Sequence, residues 1–237
     1  MRALLIGHGK MGKLIDQLAP EQNVDIVRIL EREGVLSDTL FSDIDVAIDF
    51  SSPDTILKRI EMAMKCRVPL VVGTTGWEKE KPAAETIIKK AHGAMIYSAN
   101  FSIGVQLFYK ICRHAAKLVA TNEQYDVTLL DHHHRQKKDH PSGTTKELAH
   151  ILLQELQTKS TFSCELPDGD VDKKTLYAGC LRSGFQPGKH ATILDSLDDT
   201  IEITHTARSR SGFARGALQA AHWIQGKTGF FTMDDLL

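Results

Sequence analysis

The sequence predicts an α/β fold: a parallel sheet with helices on both faces, followed by a smaller α+β region with a mixed sheet. Three observations predict it. Through about residue 101, short apolar strand-like runs alternate with amphipathic helical stretches, and strands separated by helices pair in parallel. Beyond that point three strand-like runs lie close together with little helical sequence between them, which reads as antiparallel pairing. A glycine-rich turn joins the first strand to the first helix. Of 237 residues, 42% are hydrophobic and 25% charged, the composition of an ordinary globular chain.

The elements follow in order. Arg2 to Ile6 is an apolar strand, and Met11, Leu14, Ile15 and Leu18 then recur at helical spacing until Pro20. Val24–Leu30 and Asp45–Phe50 are β-rich. Ser51-Ser52-Pro53-Asp54 starts a helix with Ile56, Leu57, Ile60 and Met64 on one face. Leu70–Val72 and Ala94–Ser98 are strands around a polar helix that reaches Lys90. A long helix over Ile103–Leu118 and a strand over Tyr125–Leu130 precede a polar loop and a helix over Thr145–Leu156. The three strands of the cluster are Thr175–Arg182, His190–Leu197 and Thr200–Ala207, and a helix over Gly212–Ile224 closes the chain.

Charge and composition exclude several classes. Lys+Arg is 29 and Asp+Glu 30, a formal net charge of -1, so a general electrostatic grip on nucleic acid or an anionic membrane is not expected. No apolar run approaches the roughly 20 residues of a membrane span. The apolar start meets glycine too soon for a signal peptide. Cys66, Cys112, Cys164 and Cys180 are scattered with no Cys-x-x-Cys pair, which fits a reducing, cytoplasmic setting better than a disulfide frame.

Gly7-His8-Gly9-Lys10-Met11-Gly12 places a Gly-x-Gly-x-x-Gly turn between a strand and a helix. Glycines there let a pyrophosphate approach backbone N–H groups at the helix N-terminus. Glu31 ends the second strand roughly 20 residues on, where a carboxylate accepts from a ribose diol. The pattern is that of a dinucleotide-binding, Rossmann-type domain. Arg32 and Lys10 suit a 2′-phosphate, so both NADH and NADPH are expected cofactors, with exposed cations as the plainer alternative. Gly73-Thr74-Thr75-Gly76 and Ser98-Ala99-Asn100-Phe101 end two neighbouring strands on the same rim, where a nicotinamide would lie. Gly73, Thr74, Thr75, Ser98, Ala99, Asn100 and Phe101 therefore join the cofactor candidates.

Residues 131 to 140 hold four histidines, one arginine and two lysines against two aspartates. Such a local field suits a small anion, and imidazoles transfer protons near neutral pH. A solvated basic loop and a zinc site are competing readings. For zinc, neighbouring histidines on a strand alternate faces, and no Cys or His-x-x-His pattern completes a ligand set, so no metal is expected. Pro141-Ser142-Gly143-Thr144 leads into a helix, with Thr144 and Glu147 matching a capping box. A basic loop ending at a helix N-terminus makes an anion pocket.

These residues resemble the dihydrodipicolinate reductase family, also named 4-hydroxy-tetrahydrodipicolinate reductase. The family pattern, an acidic residue then His-His-x-x-Lys-x-Asp-x-Pro-Ser-Gly-Thr, is matched by Asp131, His133-His134, Lys137, Asp139 and Pro141 to Thr144. The resemblance extends to Gly73–Gly76, Ser98–Ser102 and the segment from Ile203 to Ala217. It implies a dinucleotide-binding domain over residues 1–101 plus 213–237, and a substrate-binding and oligomerisation domain over 102–212, in a homotetramer. It implies NAD(P)H-dependent reduction of a small cyclic imine dicarboxylate in lysine and diaminopimelate biosynthesis, with tetrahydrodipicolinate as product. His133 is then the general acid and Lys137 its electrostatic partner or second donor. His134 and Lys137 hold a carboxylate with Ser142, Gly143 and Thr144. Another Rossmann dehydrogenase of a small dicarboxylate and a non-catalytic NADH sensor are the alternatives.

Overall fold

The computed structural model describes residues 1–237. The chain divides into two compact units, Met1–Ile103 with Ser211–Leu237, and Gly104–Arg210. In the first, β1 (Arg2–Ile6), β2 (Asp25–Leu30), β3 (Val46–Asp49), β4 (Leu70–Val72) and β5 (Ala94–Tyr97) alternate with α1 (Lys10–Leu18), α2 (Ile56–Lys65) and α3 (Lys81–Ala91).

After β5 the chain enters the second unit through α4 (Ile103–Leu118), β6 (Asp126–His133), α5 (Gly143–Glu155), β7 (Thr161–Ser163), β8 (Thr175–Arg182), β9 (Lys189–Asp195) and β10 (Thr200–Thr206). It returns to the first through α6 (Ser211–Trp223), β11 (Gly229–Phe231) and α7 (Met233–Leu236). No helix is long and apolar enough to cross a membrane.

The first sheet has the order β11-β5-β4-β3-β1-β2, and every pairing in it is parallel. Its central strands are buried on both faces, which is why they read as unbroken apolar runs. Ala3 and Leu5 of β1 pack on one face in a core that includes Ile15 of α1 and Ala217 and Leu218 of α6. Leu4 and Ile6 pack on the other with Ile60 of α2 and Ile88 of α3. Parallel strands place their carboxyl ends on one rim, where ligands bind in such sheets.

A buried ion pair organises that rim. Asp49 ends β3 and is fully buried, and Arg59 of α2 is 4% exposed. Arg59 Nε donates to Asp49 Oδ2 at 2.6 Å, and its Nη2 donates to the Ser52 carbonyl. Asp49 Oδ1 accepts from the Ser51 amide and hydroxyl and from Thr74 Oγ1 at 2.8 Å. One carboxylate thus ties together the loops after β3 and β4.

The second unit departs from sequence expectation in three places. The strand expected over 125–130 continues as β6 through His133, so the first three residues of the basic loop are strand. They extend because both edges of β6 are paired: Asp131 lies opposite Cys180 of β8 and His190 of β9. The three late strands also do not all pair consecutively. The sheet order is β10-β9-β6-β8-β7. β9 runs antiparallel to β10 and β6, whereas β8 runs parallel to β6 and β7. β8 and β9 flank β6 instead of pairing, and their connection crosses its end, where the Gln186 carbonyl accepts from the His134 amide. Finally, Cys164 and Cys180, distant in sequence, place their sulfurs 3.6 Å apart as free thiols.

Removing one partner of a buried pair strands the other charge. Arg59→Leu is predicted to lose about 3–5 kcal/mol in chemical denaturation. Asp49→Asn combined with Arg59→Leu should lose less than Arg59→Leu alone.

Candidate active site

Two groups of chemically capable residues stand out, one in each unit. In the first, a cleft of about 860 Å³ opens on the carboxyl rim of the parallel sheet. Of the expected residues, Gly7, His8, Gly9, Glu31 and Arg32 line it. Gly7 sits at φ 89°, and a Cβ there would stand 2.5 Å from the Phe50 carbonyl oxygen. A Cβ on Gly12 would stand 2.0 Å from the Gly7 carbonyl, so the turn closes only with glycine at both ends. Gly9 has nothing within 4 Å of an added Cβ, which leaves room for a ligand against its backbone.

Helix α1 starts at Lys10 with no side-chain cap and no acidic residue in its first turn. Its positive end is therefore available to a phosphate. His8 Nδ1 lies 3.6 Å from Glu31 Oε1, and its Nε2 3.3 Å from Asp16 Oδ2. The sequence missed much of the wall: Lys13, Ser51, Ser52, Thr55, Lys58 and Arg59 also line the cleft. These residues fit a dinucleotide.

Lys10, Met11, Gly12 and the segments Gly73–Thr75 and Ser98–Phe101 are not among the lining residues. Thr74 is spoken for by Asp49. Gly73 lets the Phe50 ring approach, since a Cβ there would stand 2.2 Å from it. Phe101 is 1% exposed in the core, and Asn100 Oδ1 accepts from the Ser102 amide. Thr75 and Ala99 are exposed on the same rim.

In the second unit the end of β6 meets the start of α5. Asp131 is fully buried and His133 is 6% exposed; two residues apart on a strand, they share a face. Asp131 Oδ1 lies 2.5 Å from His133 Nδ1, and Oδ2 accepts from the Ser142 amide at 2.7 Å. Arg182 of β8 forks onto the same carboxylate, with Nη1 3.2 Å from Oδ1 and Nη2 3.4 Å from Oδ2. Burial alone would push the Asp131 carboxyl up. The bonds from His133 and Ser142, with His133 and Arg182 as positive neighbours, overcome this and hold it well below the usual carboxylate range.

Ser142, not Thr144, is the N-cap of α5: its Oγ accepts from the Thr145 amide at 3.2 Å. The reason is that Asp131 fixes Ser142 through its amide, inside the site. Ser142 Oγ also lies 3.1 Å from His190 Nε2. A Cβ on Gly143 would meet nothing within 4 Å, and the Thr144 carbonyl accepts from Tyr109. Lys137 Nζ donates to both oxygens of Asp139, at 2.8 and 2.9 Å. His134 Nδ1 is buried with no hydrogen-bond partner. Burial, then the nearby charges of Arg210, His133, Lys137 and Arg182, lower its pKa.

Asp131, His133 and His190 offer ligand atoms within 4.8 Å of one another, a set that sequence spacing did not reveal. The Arg182 guanidinium already neutralises the carboxylate and opposes a cation there, so the cluster is built as a hydrogen-bonded chain. The sequence missed Asp131 as a site residue, although its period-two spacing from His133 was a usable signal. It also missed Arg182 and His190, which come from other strands with no local signature.

His190 is 4% exposed. Burial, then the charge of His133, lowers its pKa from 6.5 to about 4. The unfolded chain therefore binds this proton first as pH falls. Stability is predicted to drop between pH 6.5 and about 4, by an amount on the order of 3 kcal/mol from this group. Urea titrations across that range should show the loss, and His190→Gln should flatten it.

Comparison with known proteins agrees with this architecture. Residues 1–101 match the family model described as dihydrodipicolinate reductase, N-terminus, and residues 104–237 the model for its C-terminus. A 4-hydroxy-tetrahydrodipicolinate reductase of Christiangramia forsetii is 40% identical over 237 residues, covering 100% of this chain and 98% of the relative. One from Neisseria meningitidis serogroup A is 34% identical over 204 residues, covering 84% of this chain and 75% of the relative. Among solved structures, the dipicolinate-bound dihydrodipicolinate reductase of Paenisporosarcina sp. TG-14 superposes with a TM-score of 0.80 over 100% of both chains at 20% identity. With both halves of its length matched to the two halves of one family, the chain belongs to the dihydrodipicolinate reductases.

Proposed function

We propose that the chain reduces 4-hydroxy-tetrahydrodipicolinate to tetrahydrodipicolinate with NADH or NADPH, as a cytoplasmic homotetramer of lysine and diaminopimelate biosynthesis. The observation that carries the reading is the buried, carboxylate-anchored imidazole of His133 beside an N-terminal helix end and two cationic side chains. That set of groups suits proton transfer to a small dicarboxylate. The substrate-binding and oligomerising role falls to the second unit, and the dinucleotide role to the first.

The nicotinamide, when bound, supplies a hydride. Gly7 and Gly9 in the cleft lining, with the backbone at the start of α1 (Lys10, Met11, Gly12) just outside it, would hold the pyrophosphate of its dinucleotide. Glu31, with His8 Nδ1 3.6 Å from its carboxylate, would accept from the ribose diol. Arg32 and Lys10 would meet a 2′-phosphate. The Gly73–Thr75 and Ser98–Phe101 turns, on the same rim, would border the nicotinamide end.

On the substrate side, Lys137, His134, Ser142 and the Gly143 and Thr144 amides hold a carboxylate. Burial and then the surrounding cations lower the His134 pKa, and an arriving anion opposes that shift. Asp139 positions Lys137 through two bonds. His133 delivers a proton from Nε2 to the substrate ring as charge moves onto it.

Steady-state kinetics separates these roles. Purified protein should oxidise NADH only when the substrate, generated by the synthase reaction, is supplied; no oxidation with either cofactor would contradict the reading. His133→Gln is predicted to lower kcat by roughly 10²–10⁴-fold. His134→Gln should mainly raise KM, because the carboxylate contact exists before and during reaction. Lys137→Ala should damage both, and NADH affinity should hold in all three. By calorimetry, NADH and NADPH should bind within about 1–2 kcal/mol of each other, since Glu31 favours one and Arg32 with Lys10 the other. A preference beyond a thousandfold would contradict those assignments.

A further inference from the structure

We propose that Asp131 is the positioning residue of the proton donor: its carboxylate takes the Nδ1–H of His133 and thereby leaves Nε2 as the end that meets the substrate. The inference rests on the reading of His133 as the general acid, and goes beyond it by assigning a role to a buried group that does not itself touch substrate.

Donors and acceptors decide which ring nitrogen carries the proton. An ionised carboxylate can only accept hydrogen bonds. Asp131 lies with Oδ1 2.5 Å from His133 Nδ1, so a proton must stand on Nδ1. The other lone pairs of Asp131 are engaged by the Ser142 amide and by Arg182, so the carboxylate has no freedom to rotate away. Arg182 is itself anchored, its Nη2 donating to the Asp139 carbonyl at 2.9 Å.

The opposite end of the ring is left open. His133 Nε2 takes no hydrogen bond from the protein, and Gly188 keeps the space beside it clear: a Cβ there would stand 3.0 Å from Nε2. The His190 ring packs edge-on at 5.1 Å between centroids, blocking a tilt without offering Nε2 an acceptor. When imidazolium gives up the proton on Nε2, the N–H bond breaks, the proton passes to the substrate, and the ring is left as the neutral Nδ1–H tautomer. That is the form the carboxylate already holds, so no reorientation accompanies the transfer.

Asparagine at 131 would break this logic while keeping the shape. Its carbonyl can still accept from the Ser142 amide, but its NH2 would then face His133 Nδ1 and disfavour a proton there. Asp131→Asn is expected to lower kcat by roughly 10–10³-fold, with KM changed less than about threefold and NADH affinity unchanged.

The decisive readout needs no turnover. In wild-type protein with ¹⁵N-labelled histidine, at alkaline pH, His133 should show a protonated Nδ1 and an unprotonated Nε2, the reverse of the tautomer preferred by free histidine. In Asp131→Asn it should revert to protonated Nε2. An Nε2–H tautomer in the wild type would overturn the proposal, whether or not Asp131→Asn folds. Unchanged kcat in a folded Asp131→Asn would overturn it equally. His133→Gln distinguishes the two layers: retained kcat there removes the general-acid reading itself, while the tautomer measurement judges the positioning role independently.

Discussion

The second unit depends on one buried charge. A carboxylate at the end of a central strand, fully shielded from water, must be surrounded by donors or be neutralised. Asp131 is surrounded: an imidazole from its own strand, an amide from the loop, a guanidinium from the neighbouring strand. Each bond has a structural consequence. The imidazole bond orients His133. The amide bond brings Ser142 inward, which makes it the cap of α5 and fixes where that helix starts. The guanidinium bond joins β8 to β6 where the chain could otherwise fray.

The first unit repeats the device in a different setting. Asp49, also at the end of a central strand, holds Arg59, the Ser51 backbone and Thr74. Those contacts shape a wall of the cleft that the glycine turn completes. In both units the sheet supplies a rigid edge, and a buried carboxylate at that edge converts a flexible loop into a fixed set of ligand-facing groups. Buried charges are weak contributors to net stability; here they determine where side chains point.

Much of this was legible in the sequence, and the exceptions have physical reasons. Strands of the parallel sheet read clearly because both their faces are buried, as in Ala3–Ile6 and Ala94–Tyr97. The glycine turn read clearly because Gly7 and Gly12 have no substitute. β7 and β11 escaped because their three residues are only partly buried and mix in Thr, Ser or Gly, unlike the equally short but fully buried apolar β4. The end of β6 was hidden because Asp131, His132 and His133 are polar, and polar strands look like loops until their pairing partners are known. The pairing of β8 was misread because sequence proximity to β9 suggested a hairpin, whereas β6 lies between them. For the site, His133, His134 and Lys137 announced themselves by composition. Arg182 and His190 reach it only through sheet register, which no local pattern encodes. Ser142 and Thr144 both suit a cap, and the choice fell to the residue whose amide Asp131 accepts.

The Asp131 carboxylate makes the start of α5 part of the β6 core. Hydrogen–deuterium exchange resolved to single amides in the unmodified protein tests it directly. The Ser142 amide, donated to Asp131 Oδ2 at 2.7 Å, is predicted to exchange as slowly as the paired amides of β6, and far more slowly than Lys138 and Asp139 in the same loop. Exchange of Ser142 at the rate of those loop neighbours would contradict the account.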